Sequence, residues 1–340
     1  MNNRILIVLI LLLGLVAGYL YFKEDSSTIK PELRDFAIAD TATVTKIFLA
    51  DKARKTITLT RSANGRWKVN DSFFARRDLI KVLLKTIHLL EVKSPVSKAS
   101  RSNVITRLAS GATKVEIYQG GEQPVKVYYV GGATQSTMGT FMLLEGSSQP
   151  FITHVPSFFG YLSTRYTTNL LLWRDKTILD MQFKDMKSVR LEFPGDQQYS
   201  FSVINKGKWD FELKALEADS VIEDYDTVAL RVYLTGFKNI QFEGFETGRD
   251  QPFIDSIFNA IPVHILTVES LEGEVTYVES FLKPDTENRV DMYGEPIIYD
   301  VDRLYGRIND NSELVTIQYF TFDNIIFGLR DFLKNQEEPN

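Results

Sequence analysis

The sequence predicts an α+β protein in which an N-terminal transmembrane helix is followed by two tandem divergent copies of an antiparallel-sheet-plus-helices unit. Three observations predict it. An uncharged apolar run, Ile5 to Phe22, stands near the start of the chain. Beyond it, short stretches of period-two alternation are interleaved with a few stretches of helical spacing. The order of these elements then recurs, with Gly65-Arg66-Trp67 matched by Gly207-Lys208-Trp209.

The apolar run follows Arg4 and gives way to Lys23-Glu24-Asp25. Its eighteen residues, at ~1.5 Å rise each, make a helix of about 27 Å, close to the roughly 30 Å hydrocarbon core of a bilayer. Tyr19, Tyr21 and Phe22 crowd its far end, where amphipathic rings favour the membrane boundary. A cleaved signal peptide would have a shorter core and a small-residue exit. Val16-Ala17-Gly18 is followed instead by bulky Tyr19-Leu20-Tyr21-Phe22. A retained single-pass anchor over residues 1–24 is therefore expected, with residues 5–22 in the inner membrane. Arg4 and the amino terminus stay inside, which makes the rest of the chain periplasmic. The chain has no cysteine, which excludes a lipid on cysteine, disulfides and thiolate chemistry.

Residues 25–43, with Ser26-Ser27 and Pro31, show little periodicity and read as a linker. The first α+β repeat is expected over residues 44–180. Thr45–Leu49, Thr56–Thr60 and Arg66–Val69 form a meander. Leu79, Val82, Leu83, Ile87 and Leu90 then recur at helical spacing behind Asp78. A second short helix runs from about Lys98 to Leu108. Strands return at Lys114–Tyr118, Val125–Val130, Thr140–Leu144 and Phe151–Val155, with Gly120-Gly121 and Gly131-Gly132 read as turns.

The second repeat is expected over residues 181–335. Val189–Leu191, Tyr199–Val203 and Lys208–Phe211 repeat the meander, and Val189 precedes Trp209 by the same twenty residues that separate Ile47 from Trp67. Leu230, Leu234 and Phe237 follow on one helix, and Phe253-Ile254 and Ile257-Phe258 on another. Strands at Val263–Val268, Val275–Val278 and Val315–Tyr319 complete the copy.

Composition narrows the function. The 340 residues are 44% hydrophobic and 24% charged, which suits a globular chain, and the formal charge of −5 gives no general basic footprint for DNA or RNA. His88, His154 and His264 are isolated in sequence and read as structural or surface histidines, since no pair has zinc-helix spacing. No Gly-x-Ser-x-Gly elbow occurs, and Gly146-Ser147-Ser148 reads as a turn. Gly131-Gly132 with Gly139 lacks phosphate-loop spacing.

Asp210, Glu212, Glu217, Asp219, Glu223, Asp224 and Asp226 concentrate carboxylates without a calcium-loop pattern. They read as a solvated insertion before a helix whose N-terminus favours negative charge. Paired carboxylates for glycoside hydrolysis stay open, because their separation is set in space. Trp67, Trp173 and Trp209 could line a groove, although equivalent Trp in repeats more often pack a core. Arg174-Asp175 and Arg330-Asp331 stand near the two ends as a candidate repeated ion pair. No catalytic, cofactor-binding or metal residue is assigned.

Asp35-Phe36-Ala37-Ile38, Thr45 to Lys52, Ser94-Pro95-Val96-Ser97-Lys98 and Tyr128-Tyr129-Val130-Gly131-Gly132 resemble a family of Bacteroidetes-type bacteria. It is the domain-of-unknown-function family numbered four-three-four-zero. The resemblance covers Asp35 to Asp175 most clearly. It implies a membrane-anchored extracytoplasmic protein related to auxiliary parts of gliding-motility and ABC-type export systems, and it brings no catalytic residues. The expected function is a non-enzymatic scaffold or accessory subunit of an inner-membrane complex, with membrane and protein partners, no cofactor and no nucleic acid. The alternative is an anchored glycan-, peptidoglycan- or peptide-binding module. An unrecognised hydrolase comes third.

Overall fold

Strict alternation builds the first sheet. In β1 (Lys46–Ala50) and β2 (Thr56–Arg61), Ile47, Leu49, Ile57 and Leu59 are fully buried, while their neighbours are partly or wholly exposed. A period of two puts alternate side chains on opposite faces, so these four point into one core. The computed structural model describes residue 12 and residues 34–208 and 210–334. The chain divides into two compact units, one ending at Asp175 and the other beginning at Lys176. Both are sheet-rich and α+β.

The first unit continues with β3 (Trp67–Val69), β4 (Phe73–Phe74), α1 (Arg77–Leu89), β5 (Glu91–Pro95), α2 (Lys98–Gly111), β6 (Thr113–Tyr118), β7 (Lys126–Ala133), β8 (Thr140–Leu144), β9 (Phe151–His154) and α3 (Leu170–Trp173). Its nine strands pair in the order β4-β3-β2-β1-β6-β7-β8-β9-β5, each antiparallel to its neighbours. Two meanders thus spread in opposite directions from the centre, where Ile47 of β1 lies opposite Ile117 of β6. The sheet ends in two-residue β4 on one side and in β5 on the other, where the register shifts between Val92 and Ser94.

Each face carries a helix. Ile80, Leu83 and Ile87 of α1 join the main core with Tyr128, Val130, Met142 and Phe151. Val104 and Leu108 of α2 pack with Ala112 against Tyr129, Phe141, Leu143 and Ile152, whose neighbours in sequence face the other way. Gly131 sits on β7 beneath α2, where an added Cβ would stand 2.6 Å from Leu108 Cδ2. Gly131-Gly132 therefore lie within a strand and not in the expected turn. The apolar stripe of α1 is also rotated from the expected one. Val82 is 41% exposed, and Ile80 takes its place in the core. Apolar residues fill so much of the turn from Leu79 to Leu84 that spacing alone fits either stripe.

The second unit comprises β10 (Thr177–Leu179), β11 (Met186–Glu192), β12 (Phe201–Gly207), β13 (Asp210–Ala215), β14 (Ser220–Ile222), α4 (Thr227–Thr235), β15 (Ile240–Gln241), β16 (Gly244–Phe245), α5 (Gln251–Phe258), β17 (His264–Ser270), β18 (Val275–Pro284), β19 (Tyr299–Ile308), β20 (Val315–Gln318) and α6 (Tyr319–Phe322). Nine strands pair in the order β14-β13-β12-β11-β17-β18-β19-β20-β16, and β10 pairs separately with β15. With that pair set aside, the strand order is that of the first sheet. Leu230, Tyr233 and Leu234 of α4 enter the main core, and α5 lays Phe253, Ile254, Ile257 and Phe258 on a smaller cluster of Phe281, Tyr305 and Leu314. The placing of both helices repeats as well.

Several sequence expectations change here. The strand read over Tyr199–Val203 begins at Phe201, because Gln197–Tyr199 forms a 3-10 turn. Asp210, Glu212, Glu217 and Asp219 lie on the β13–β14 hairpin and not on an insertion, while Glu223, Asp224 and Asp226 follow β14, and Asp226 caps α4 by accepting from Val228 N at 2.8 Å and Ala229 N at 3.0 Å. Tyr319 starts a short helix instead of ending β20. β19 was not foreseen at all. Trp209 lies outside the described residues, as does the expected anchor 5–22 apart from Leu12. Among the described residues no helix is long and apolar enough to cross a membrane.

Candidate functional site

Two surface features combine apolar exposure with an unusual charge environment. The first is a cleft of about 580 Å³ in the first unit. One wall is the outer stripe of α1, with Arg77, Ile80, Lys81, Leu84, Lys85 and His88 at three- and four-residue spacing. The other is the β2–β3 turn, where Gly65 adopts φ +80° and delivers Arg66 and Trp67 to the rim and floor. No Asp or Glu lines it. Arg66 lies 3.7 Å from Asp175 and rests over the Phe74 ring, whereas Lys81 and Lys85 form no ion pair with a described residue.

The second feature is an arm made by β18 and β19. Beyond Ser280 and before Arg303 these strands have no other strand alongside among the described residues, and residues 285–298 join them. Arg289 braces the arm. Its guanidinium lies 2.7 Å from Asp285 Oδ1 and 3.0 Å from both Asp300 Oδ1 and Asp302 Oδ2. The Arg289 backbone N–H, opposed by desolvation and helped by the guanidinium, holds the Asp285 carboxyl below the usual carboxylate range. Charge-assisted pairs of this kind fix geometry as well as adding energy. The braced arm holds Met292, Tyr293 and Ile298 in solvent, at 87%, 81% and 71% exposure. At its base Arg303 grips Glu243 through two bonds of 2.7 and 3.1 Å. The corresponding β7–β8 connection of the first unit spans only residues 134–139.

A second cleft, also about 580 Å³, lies in the second unit between Phe193, Tyr199, Ile261 to Val263 and Arg330. Its charged groups already have contacts. Arg330 stacks 5.1 Å from the Tyr199 ring centre, and Asp331 accepts from Gly328 N at 2.8 Å. Arg174 in turn lies over Phe73, and Asp175 reaches Arg66, so the two Arg-Asp dipeptides make different contacts.

The three histidines stand on α1, at the end of β9 and at the start of β17. His88 Nδ1 is 3.3 Å from Ile38 O. His264 is buried with Nδ1 3.0 Å from Ser280 Oγ, and burial pushes its pKa down to about 4. Both members of a nucleophile–base pair meet there, yet Ser280 is only 3% exposed, and a nucleophile must reach its substrate. Among the described residues no group of three or more His, Asp or Glu could hold a metal ion. Trp67 and Trp173 are core residues, the latter donating from Nε1 to Thr167 O at 2.8 Å.

Charge separates the units in a way that the whole-chain figure conceals. Residues 1–175 hold 23 Lys and Arg against 13 Asp and Glu, a net +10, and residues 176–340 hold 16 against 31, a net −15. Neither the cleft nor the arm follows a sequence motif. The charge division was the signal available in sequence. Comparison with protein-family models, with curated proteins and with solved structures finds no match to this chain.

Proposed function

We propose that this chain is a non-enzymatic scaffold or accessory subunit of an inner-membrane complex. Residues 5–22 tether it, two tandem divergent copies of one α+β unit stand in the periplasm, and the β18–β19 arm docks a protein partner. The arm is the observation that carries this reading. Water opposes the exposure of Met292, Tyr293 and Ile298, and three large apolar side chains held in solvent on one locally braced element favour an interaction site. The shared strand order supports duplication, and the longer β18–β19 connection is where the second copy departs from the first. The setting we infer is an ABC-type transport complex.

The test is a mild-detergent pull-down of tagged full-length protein beside a Met292→Ser/Tyr293→Ser/Ile298→Ser variant. Stoichiometric membrane proteins are expected with the parent and are expected to be lost with the variant. An identical set in both, or none in either, would overturn the reading. The aromatic cleft around Phe193 and Tyr199 favours the second reading, an anchored glycan- or peptide-binding module. Binding screens that register a ligand lost in Tyr199→Ala would establish it instead.

A further inference from the structure

We propose that the cationic cleft of the first unit binds the anionic headgroup of a membrane phospholipid. The proposal rests on the tethered reading above and adds a ligand to it. The cleft has two chemistries in one place. Trp67, Ile80 and Leu84 give it an apolar floor, and Arg66, Arg77, Lys81 and Lys85 give it a basic rim; no Asp or Glu is among the lining residues, and the Asp175 carboxylate lies 3.7 Å from Arg66. Lys81 and Lys85 stand one turn apart on an exposed helix face, and neither forms an ion pair with a described residue. A free phosphate would use the rim and leave the floor empty. A phospholipid uses both, with its phosphate among the cations and its glycerol and first methylenes against Trp67 and Leu84.

Chain length favours the same occupant. Only residues 23–33 separate the apolar run from the first described stretch. Eleven residues reach at most about 40 Å even when fully extended, so a tethered first unit can bring the cleft to the headgroups. Thr41, a few residues further on, already lines the cleft. Attraction between a polybasic surface and anionic lipid fades within about 8 Å at physiological salt, so the contact has to be direct. The net charge of +10 over residues 1–175 gives this half the sign needed for that approach.

The test uses the full chain in neutral detergent, equilibrated with phosphatidylglycerol or phosphatidylcholine and examined by native mass spectrometry. One phosphatidylglycerol retained per chain is expected, at least tenfold over phosphatidylcholine. Lys81→Glu/Lys85→Glu abolishes that preference while its melting temperature stays unchanged, and Lys81→Arg/Lys85→Arg keeps it. Equal retention of both lipids overturns the proposal. So does retention unaffected by the charge reversal, which would place the lipid on the apolar run. Displacement by millimolar inorganic phosphate, or by a polyglutamate peptide in place of lipid, also overturns it and identifies a free-anion or acidic-protein site. Alkaline carbonate washing of membranes reads the tether alone. A chain that washes off sinks the tethered reading without bearing on the lysine-dependent lipid preference.

Discussion

Tyr233 carries a hydroxyl into a nest of rings. Phe201, Phe237, Phe327 and Phe332 surround it with centroids 5.2–5.6 Å away, and its OH is buried without a hydrogen-bond partner. In the first unit the comparable burial is compensated, since the Tyr128 and Tyr166 hydroxyls stand 3.2 Å apart and burial pushes Tyr166 up to about 12. An unsatisfied hydroxyl costs roughly 1–3 kcal/mol. Tyr233→Phe should therefore raise stability, by about 1 kcal/mol in urea unfolding, and a lower midpoint would refute this account of the site. His264 makes the opposite kind of statement. Desolvation lowers its pKa from 6.5 to about 4, so the unfolded chain binds the proton first. Its contribution is fully present above about pH 6.5 and is lost as pH falls through that value towards 4, by roughly 3 kcal/mol in all. Stability measured between pH 6.5 and 5, above the carboxylate range, should fall less steeply in His264→Gln than in the parent. Parallel slopes would rule this out.

At the scale of elements, period-two alternation made most of the inner strands legible. β1, β2, β6 and β8 differ from their sequence readings by one residue or less at each end. Legibility failed where tertiary context decides. β19 escaped because its outer half, Tyr299 to Asp302, alternates apolar and acidic residues on an arm with no core to face, and only Leu304 and Tyr305 are buried in the main and minor clusters. β5 and β16 are outer strands without a fully buried residue, and β16, at two residues, is too short to show a period. Gly131 read as a turn because glycine in sequence does not distinguish a bend from a place where another backbone or side chain must come close. The cleft was hidden for a related reason. Its basic residues come from α1 and from a turn, and only the crossing of these elements brings them to one rim. The arm was hidden because its brace gathers Asp285, Glu287, Asp300 and Asp302 around Arg289 from both ends of one connection, at spacings that follow no periodic pattern.

For the whole molecule, duplication of architecture without duplication of charge is the central fact. Each unit has its own main core and its own minor cluster under a second helix. Residues 34–175 and 176–334, produced separately, should each unfold cooperatively and should be retained on ion exchangers of opposite sign at neutral pH. A unit that is unfolded on its own would show that its core is incomplete. The outer strands carry one further consequence. Two-residue β4 and β16 and three-residue β14 expose few unpaired backbone groups, and β5 is interrupted by a register shift and closes on Pro95. A long straight edge would template another chain, and proteins rich in sheet avoid this with short or broken borders. The terminal strands of both nine-stranded sheets are therefore poor templates, which leaves the outer parts of β18 and β19 on the arm as the strand borders most open to another chain.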